Sequence, residues 1–195
     1  SFSEIMAAQA GAEKLKQLLS SEVEIVDTPE VIGEYGDIFN PKKEKYKAFA
    51  GKIDFENLSF HYSNGVEVIH PLDLHIAPGE SVAIVGETGS GKTTIANLIC
   101  RFYEPTGGRI LIDGKPYQDY GLPYLHSQIG YVQQTPFLFP GTIAENLRYG
   151  KEDATIEEME KACEQVGIAE FIHALPKGYE TMLSENGGSL SQGQK

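Results

Sequence analysis

Apolar and polar residues alternate from Lys52 to Tyr62, with Ile53, Phe55, Leu58, Phe60 and Tyr62 as the apolar set. A period of two predicts a strand with one face buried. The habit returns over 66–69 and 72–76, around the turn residues Asn64-Gly65 and Pro71, and again over 108–114, which ends on Asp113-Gly114. A group of antiparallel strands is expected there. Ser81-Val82-Ala83-Ile84-Val85 follows another rule, being short, β-branched and nearly all apolar. That is how a parallel strand buried on both faces reads. Just beyond it, 94–102 sets Ile95, Leu98, Ile99 and Phe102 on one helical face. Helical texture then takes over at 142–147 and at 155–166, where Thr155 and Glu158 have the spacing of a capping box. At the other end, 2–20 is rich in helix formers and places Leu15, Leu18 and Leu19 at helical spacing. Residues 1–21 therefore read as a helix and 22–50, charged and punctuated by Pro29, Gly33, Gly36 and Pro41, as a linker. The main domain is expected to begin near Gly51 and to fill 51–195.

Between the all-apolar run and the helix lies Gly86-Glu87-Thr88-Gly89-Ser90-Gly91-Lys92-Thr93, followed by Thr94. This meets the full Walker A pattern in its proper setting, strand before and helix after. Glycines at 86, 89 and 91 let the backbone fold so that several N–H groups face one concavity, and a helix start adds its positive dipole end. Lys92 is placed to reach β- and γ-phosphates, and the Thr93 hydroxyl to hold Mg²⁺. The chemistry expected is nucleoside triphosphate binding.

About a hundred residues further on, Leu190-Ser191-Gln192-Gly193-Gln194-Lys195 resembles the signature segment of ABC transporter nucleotide-binding domains, with Gln192 in place of the family's glycine. Between the two, Ile129-Gly130-Tyr131-Val132-Gln133-Gln134-Thr135-Pro136 matches the Q-loop, with Gln134 as the key glutamine, and Leu58-Ser59-Phe60-His61-Tyr62 resembles the A-loop. Thr181 to Gly187 is similar to the segment that exporters carry before the signature: Glu185 and Gly187 match it, Ser184 and Asn186 depart. The resemblance covers about 50–195. It implies an α/β P-loop NTPase core of ABC type with an antiparallel β subdomain and an α-helical subdomain, incomplete at the C-terminus.

The resemblance also assigns roles. Tyr62 would stack on adenine and Val68 pad the base, while Gly86, Glu87, Thr88, Gly89, Ser90, Gly91, Lys92, Thr93 and Thr94 would hold the ATP phosphates. Lys92 and Gln134 would carry the catalytic contacts, and Thr93 and Gln134 would bind Mg²⁺. Ser191, Gly193 and Gln194, at an expected helix start, would close over the nucleotide of a second such domain in a homo- or heterodimer. A transmembrane domain of the same or another chain would be the other partner, with the 1–21 helix continuing from a preceding transmembrane domain, placing the domain at the cytoplasmic face of a membrane as part of an exporter. The family's Walker B Asp, the Glu after it and the switch His have no counterparts here: His61, His70, His75, His126 and His173 all precede the signature. Residues 1–195 alone are therefore expected not to turn over ATP.

Composition narrows the alternatives. A net charge of −12 opposes a nucleic-acid surface, which weighs against an ABC-type ATPase of repair or translation without membrane helices. A regulatory module that binds ATP without hydrolysing it is the other alternative. No run of 18 apolar residues occurs, so membrane contact is expected through a partner. Cys100 and Cys163 lack metal-ligand spacing and are expected to be packed thiols.

Overall fold

The computed structural model describes residues 12–16, 20, 23–184, 190, 191, 193 and 194. Of the expected N-terminal helix, residues 12–16 and 20 are described and helical; the rest lies outside the described residues, as do Glu185, Asn186, Gly187 and Gln192. The chain forms two compact units, Ser1–Tyr131 and Val132–Lys195.

The first unit is built on an antiparallel sheet of four strands in the order β2-β1-β3-β4. Its members are β1 (Ile53–His61), β2 (Glu67–Ile76), β3 (Gly107–Ile112) and β4 (Lys115–Pro116). The alternation in β1 changes phase between Phe55 and Leu58, and the ladder answers with register shifts there on both sides. Asn57 has φ 48, so the bulge turns both Phe55 and Leu58 into the core, where neither is exposed. Gly108 (φ 68) faces this bulge, and a Cβ there would collide with the Glu56 and Asn57 carbonyls. Pro71 does not break β2, which runs through it at a register shift on the sheet's outer edge, where a missing N–H costs no ladder bond. Asp113 (φ 51) and Gly114 (φ 80) make the tight turn from β3 to β4.

Beyond the helical residues near the N-terminus, the α-helices described in this unit are α1 (Pro29–Tyr35), α2 (Lys92–Ile99) and α3 (Leu122–Ser127). Leu98 of α2 and Leu125 of α3 join Phe55, Leu58, Ile110 and Tyr117 as fully buried side chains. The segment read as a linker contains α1. Its Thr28 hydroxyl accepts the Val31 N–H at 3.4 Å, Pro29 takes the first helical position, and Val31 and Tyr35 are buried. Tyr46 stacks on Tyr124 with centroids 4.5 Å apart, and the Tyr124 hydroxyl donates to the Lys47 carbonyl at 2.7 Å. Composition suggests a linker because proline and glycine commonly break helices, whereas Pro29 here starts one.

The expected parallel strand at 81–85 is not formed. Residues 81–87 have no assigned secondary structure, and Val82, Ile84 and Val85 are 45%, 41% and 87% exposed. Residues 129–133 are likewise unpaired, with Val132 93% exposed. A parallel strand needs a neighbour that arrives by a crossover, and every ladder among the described residues is antiparallel.

The second unit holds α4 (Ile143–Arg148), α5 (Ile156–Gln165) and α6 (Ala169–Ala174), tied by a short antiparallel pair, β5 (Gly141–Thr142) with β6 (Met182–Leu183). Both α4 and α5 start on full capping boxes, Thr142 with Glu145 and Thr155 with Glu158. Ile143, Cys163, Ala169, Ile172 and Leu183 form its core. Cys100 and Cys163 are free and buried, and burial pushes the Cys100 thiol above its ordinary range.

Candidate functional site

The Gly86–Thr93 loop leads into α2, whose N-cap is Gly91 in the left-handed conformation (φ 87) without a side-chain cap. The first-turn N–H groups of α2 are thus left for an external acceptor. Three contacts shape the loop around Lys92. Its ammonium donates to the carbonyls of Gly86 at 2.8 Å and Glu87 at 2.7 Å, and to the Ser90 hydroxyl at 3.4 Å. A positive charge is therefore held inside a ring of backbone at the positive end of a helix, which is an anion site.

Two glycines sit where the loop is tightest, and the left-handed φ of 87 favours glycine at 91. A Cβ on Gly86 would come within 2.5 Å of Ser90 Oγ, and one on Gly91 within 2.8 Å of Ile69 Cδ1 and 3.3 Å of Val68 Cγ1. Gly91 is the point at which β2 lies against the loop, so Val68 and the phosphate cradle come together. Tyr62 joins them, since its hydroxyl is 3.0 Å from Thr94 Oγ1 on α2. Its ring packs edge-to-face against Phe60 and Tyr103, with centroids 4.9 and 5.3 Å away. The turn after it is closed by the Gly65 N–H to the Tyr62 carbonyl at 2.8 Å. Tyr103 carries no signal of its own in the sequence, being an aromatic four residues past the end of α2. Thr93 is exposed on the first turn of α2, while Thr94 is buried.

Gln134 belongs to the second unit and lies exposed in a bend rather than at the end of a buried strand. Ser191, Gly193 and Gln194 are in that unit too. The helix start expected at 191–193 takes the form of a turn: the Gln194 N–H donates to the Ser191 carbonyl at 3.0 Å and the Ser191 N–H to the Gln194 side-chain carbonyl at 2.9 Å. One such turn fixes several dihedrals for a single backbone bond, the costly nucleus from which a helix grows.

A family model described as ABC transporter matches residues 69–195. The chain belongs to the ABC transporter family. An uncharacterized ABC transporter ATP-binding protein of Bacillus subtilis is 41% identical over 194 residues, which is 100% of this chain and 30% of that protein. A fatty acid ABC transporter ATP-binding/permease protein of Mycobacterium bovis is 47% identical over 145 residues, 74% of this chain and 23% of its own length. Among solved structures, a bacterial Atm1-family ABC exporter with ATP bound aligns with a TM-score of 0.80 and 34% identity, covering 100% of this chain and 32% of that one. This ABC chain thus spans about a third or less of the length of these relatives.

Proposed function

We propose that this chain is the ATP-binding part of an export-type ABC transporter, energising movement of a cargo across a membrane. The observation that carries the reading is the Lys92 ammonium ringed by the Gly86–Ser90 backbone at the uncapped start of α2, with Tyr62 tied to the same helix through Thr94. Phosphates enter where Lys92 and the first-turn N–H groups converge, and the base lies on Tyr62 beside Val68. Stacking on an aromatic face is worth about 1–3 kcal/mol per base. Glu87, Thr88, Gly89 and Ser90 contribute backbone or hydroxyl contacts to the phosphates.

The donor set suits Mg²⁺. Thr93 offers an exposed hydroxyl oxygen beside Lys92, and this cation is ordinarily held by few protein groups together with substrate phosphates and water. When bound, it offsets charge on the β- and γ-phosphates. Lys92 shares that task and orients the γ-phosphate.

In the intact transporter, Ser191, Gly193 and Gln194 close over the nucleotide of a second nucleotide-binding domain, in a homo- or heterodimer. ATP binding then brings two domains together at the cytoplasmic face, and hydrolysis resets them. Titration calorimetry with Mg·ATP tests the reading. Lys92→Ala removes a charged contact and is expected to weaken binding about tenfold or more. Unchanged affinity in that variant sinks the assignment.

A further inference from the structure

Arg101 occupies the position after α2 at which helices most often place glycine. Its φ is 55, its N–H donates to the Leu98 carbonyl at 3.0 Å and the next N–H, of Phe102, to the Asn97 carbonyl at 2.9 Å. This is the Schellman ending, in which a side chain crowds the following carbonyl. An arginine kept there points to work done by its guanidinium.

That group is only 2% exposed. It donates to the Asp27 carboxylate at 2.6 Å, to Glu104 at 2.8 Å, and to the Tyr120 and Val26 carbonyls at 3.4 Å each. Asp27 is 6% exposed on its side chain, and its second oxygen accepts the Leu122 N–H at 2.7 Å. One buried charge set thus pins three pieces together: the segment entering the domain, the end of α2 and the start of α3. Thr28, next to Asp27, caps α1, which is seated through Val31 and Tyr35. At the other end of α2, about 12 Å away for eight residues, is Lys92 in its phosphate ring.

We propose that Asp27 and Arg101 are positioning residues that couple the nucleotide cradle to the segment by which the chain enters the domain. With α2 as a stiff rod pinned at both ends, a shift of the cradle on binding phosphate is delivered to residues 23–36 instead of being lost in a slack connection. The inference rests on the nucleotide reading above. It makes the entering segment a transmitting part, and the ion pair the joint through which it transmits.

Hydrogen exchange read by mass spectrometry, with and without Mg·ATP, tests it. In the wild-type chain ATP is expected to slow exchange in 86–95 and in 29–36 together. Asp27→Asn keeps the shape and the acceptor for Leu122 but removes the charge facing Arg101. The ATP effect at 86–95 is then expected to stay within about twofold, while that at 29–36 falls about tenfold, the scale of one lost charged hydrogen bond. If the variant does not fold, the wild-type measurement still decides. Slowing confined to 86–95 overturns the coupling and leaves the nucleotide reading standing. Slowing in neither window overturns the nucleotide reading and the coupling with it.

Discussion

Residues 23–50 and residues 81–85 exchange the places that their compositions suggest. The first stretch is charged and carries prolines and glycines, yet it contains a capped helix, places Tyr35 and Val31 in the core and supplies the partner of a buried arginine. The second is as apolar as any run in the chain, yet Val85 is 87% exposed. The difference lies in where each finds its partners. Residues 23–50 bond to Arg101, Leu122, Tyr124 and Asp113, all within the first unit. A lone strand has one row of N–H and C=O groups on each side and no way to satisfy them internally, so apolar composition alone does not bury it.

The largest effect is expected where the entering segment is pinned. Arg101→Ala leaves Asp27 buried without its cation, a loss of about 3–5 kcal/mol, and urea denaturation measures it. A loss below about 0.5 kcal/mol, the range of an ordinary surface change, breaks the contrast by returning 23–50 to linker status. Thr28→Ala asks a smaller question about the same stretch. Removing the hydroxyl that caps α1 is expected to cost about 1 kcal/mol, whereas a frayed α1 predicts nothing.

The paired sheet offers a pH test that the unpaired run does not. Lys52, bonded at 2.8 Å, and then His75 across the β1–β2 ladder hold the Asp54 carboxyl below its ordinary range. A carboxyl held low when folded contributes stability above its unfolded value, near 3.9, and loses it as pH falls through the lower folded value. The thermal midpoint is therefore expected to fall more steeply from pH 5 to pH 3 in the wild type than in Asp54→Asn. Parallel curves for the two remove Asp54 from the ladder's account.

Much of this was legible along the chain, and the rest was not for reasons of distance. The phosphate loop is contiguous, so its glycines and Lys92 declare themselves by spacing. β1, β2 and β3 follow from alternation, though the phase break at Glu56-Asn57 marks a bulge only once Gly108 is seen opposite it. The capping box at Thr155 and Glu158 fixes the start of α5, and the same pattern at Thr142 and Glu145 fixes α4. Helices α3 and α6, of six residues each, are too short for a 3.6-residue period to stand out. The Tyr62–Thr94 contact joins residues 32 apart and the Arg101–Asp27 pair residues 74 apart, and no local pattern announces either.

The smallest expected effect sharpens the comparison most. Val82→Ser and Val85→Ser, made together, take methyl groups from side chains 45% and 87% exposed. If 81–85 gains no burial from the chain that contains it, the pair is expected to change unfolding free energy by less than about 0.5 kcal/mol, as surface substitutions do. A buried strand answers differently. Burying a valine side chain is worth about 1.5–3 kcal/mol, and a serine there adds an unmet hydroxyl. The same two substitutions therefore read whether a neighbouring strand has closed over 81–85. A loss of about 3 kcal/mol or more in this chain means that the run is paired and that the contrast with 23–50 fails. A loss that appears only in a longer form of the protein identifies the partner strand as part of the added sequence, directly beside the phosphate loop that Val85 introduces.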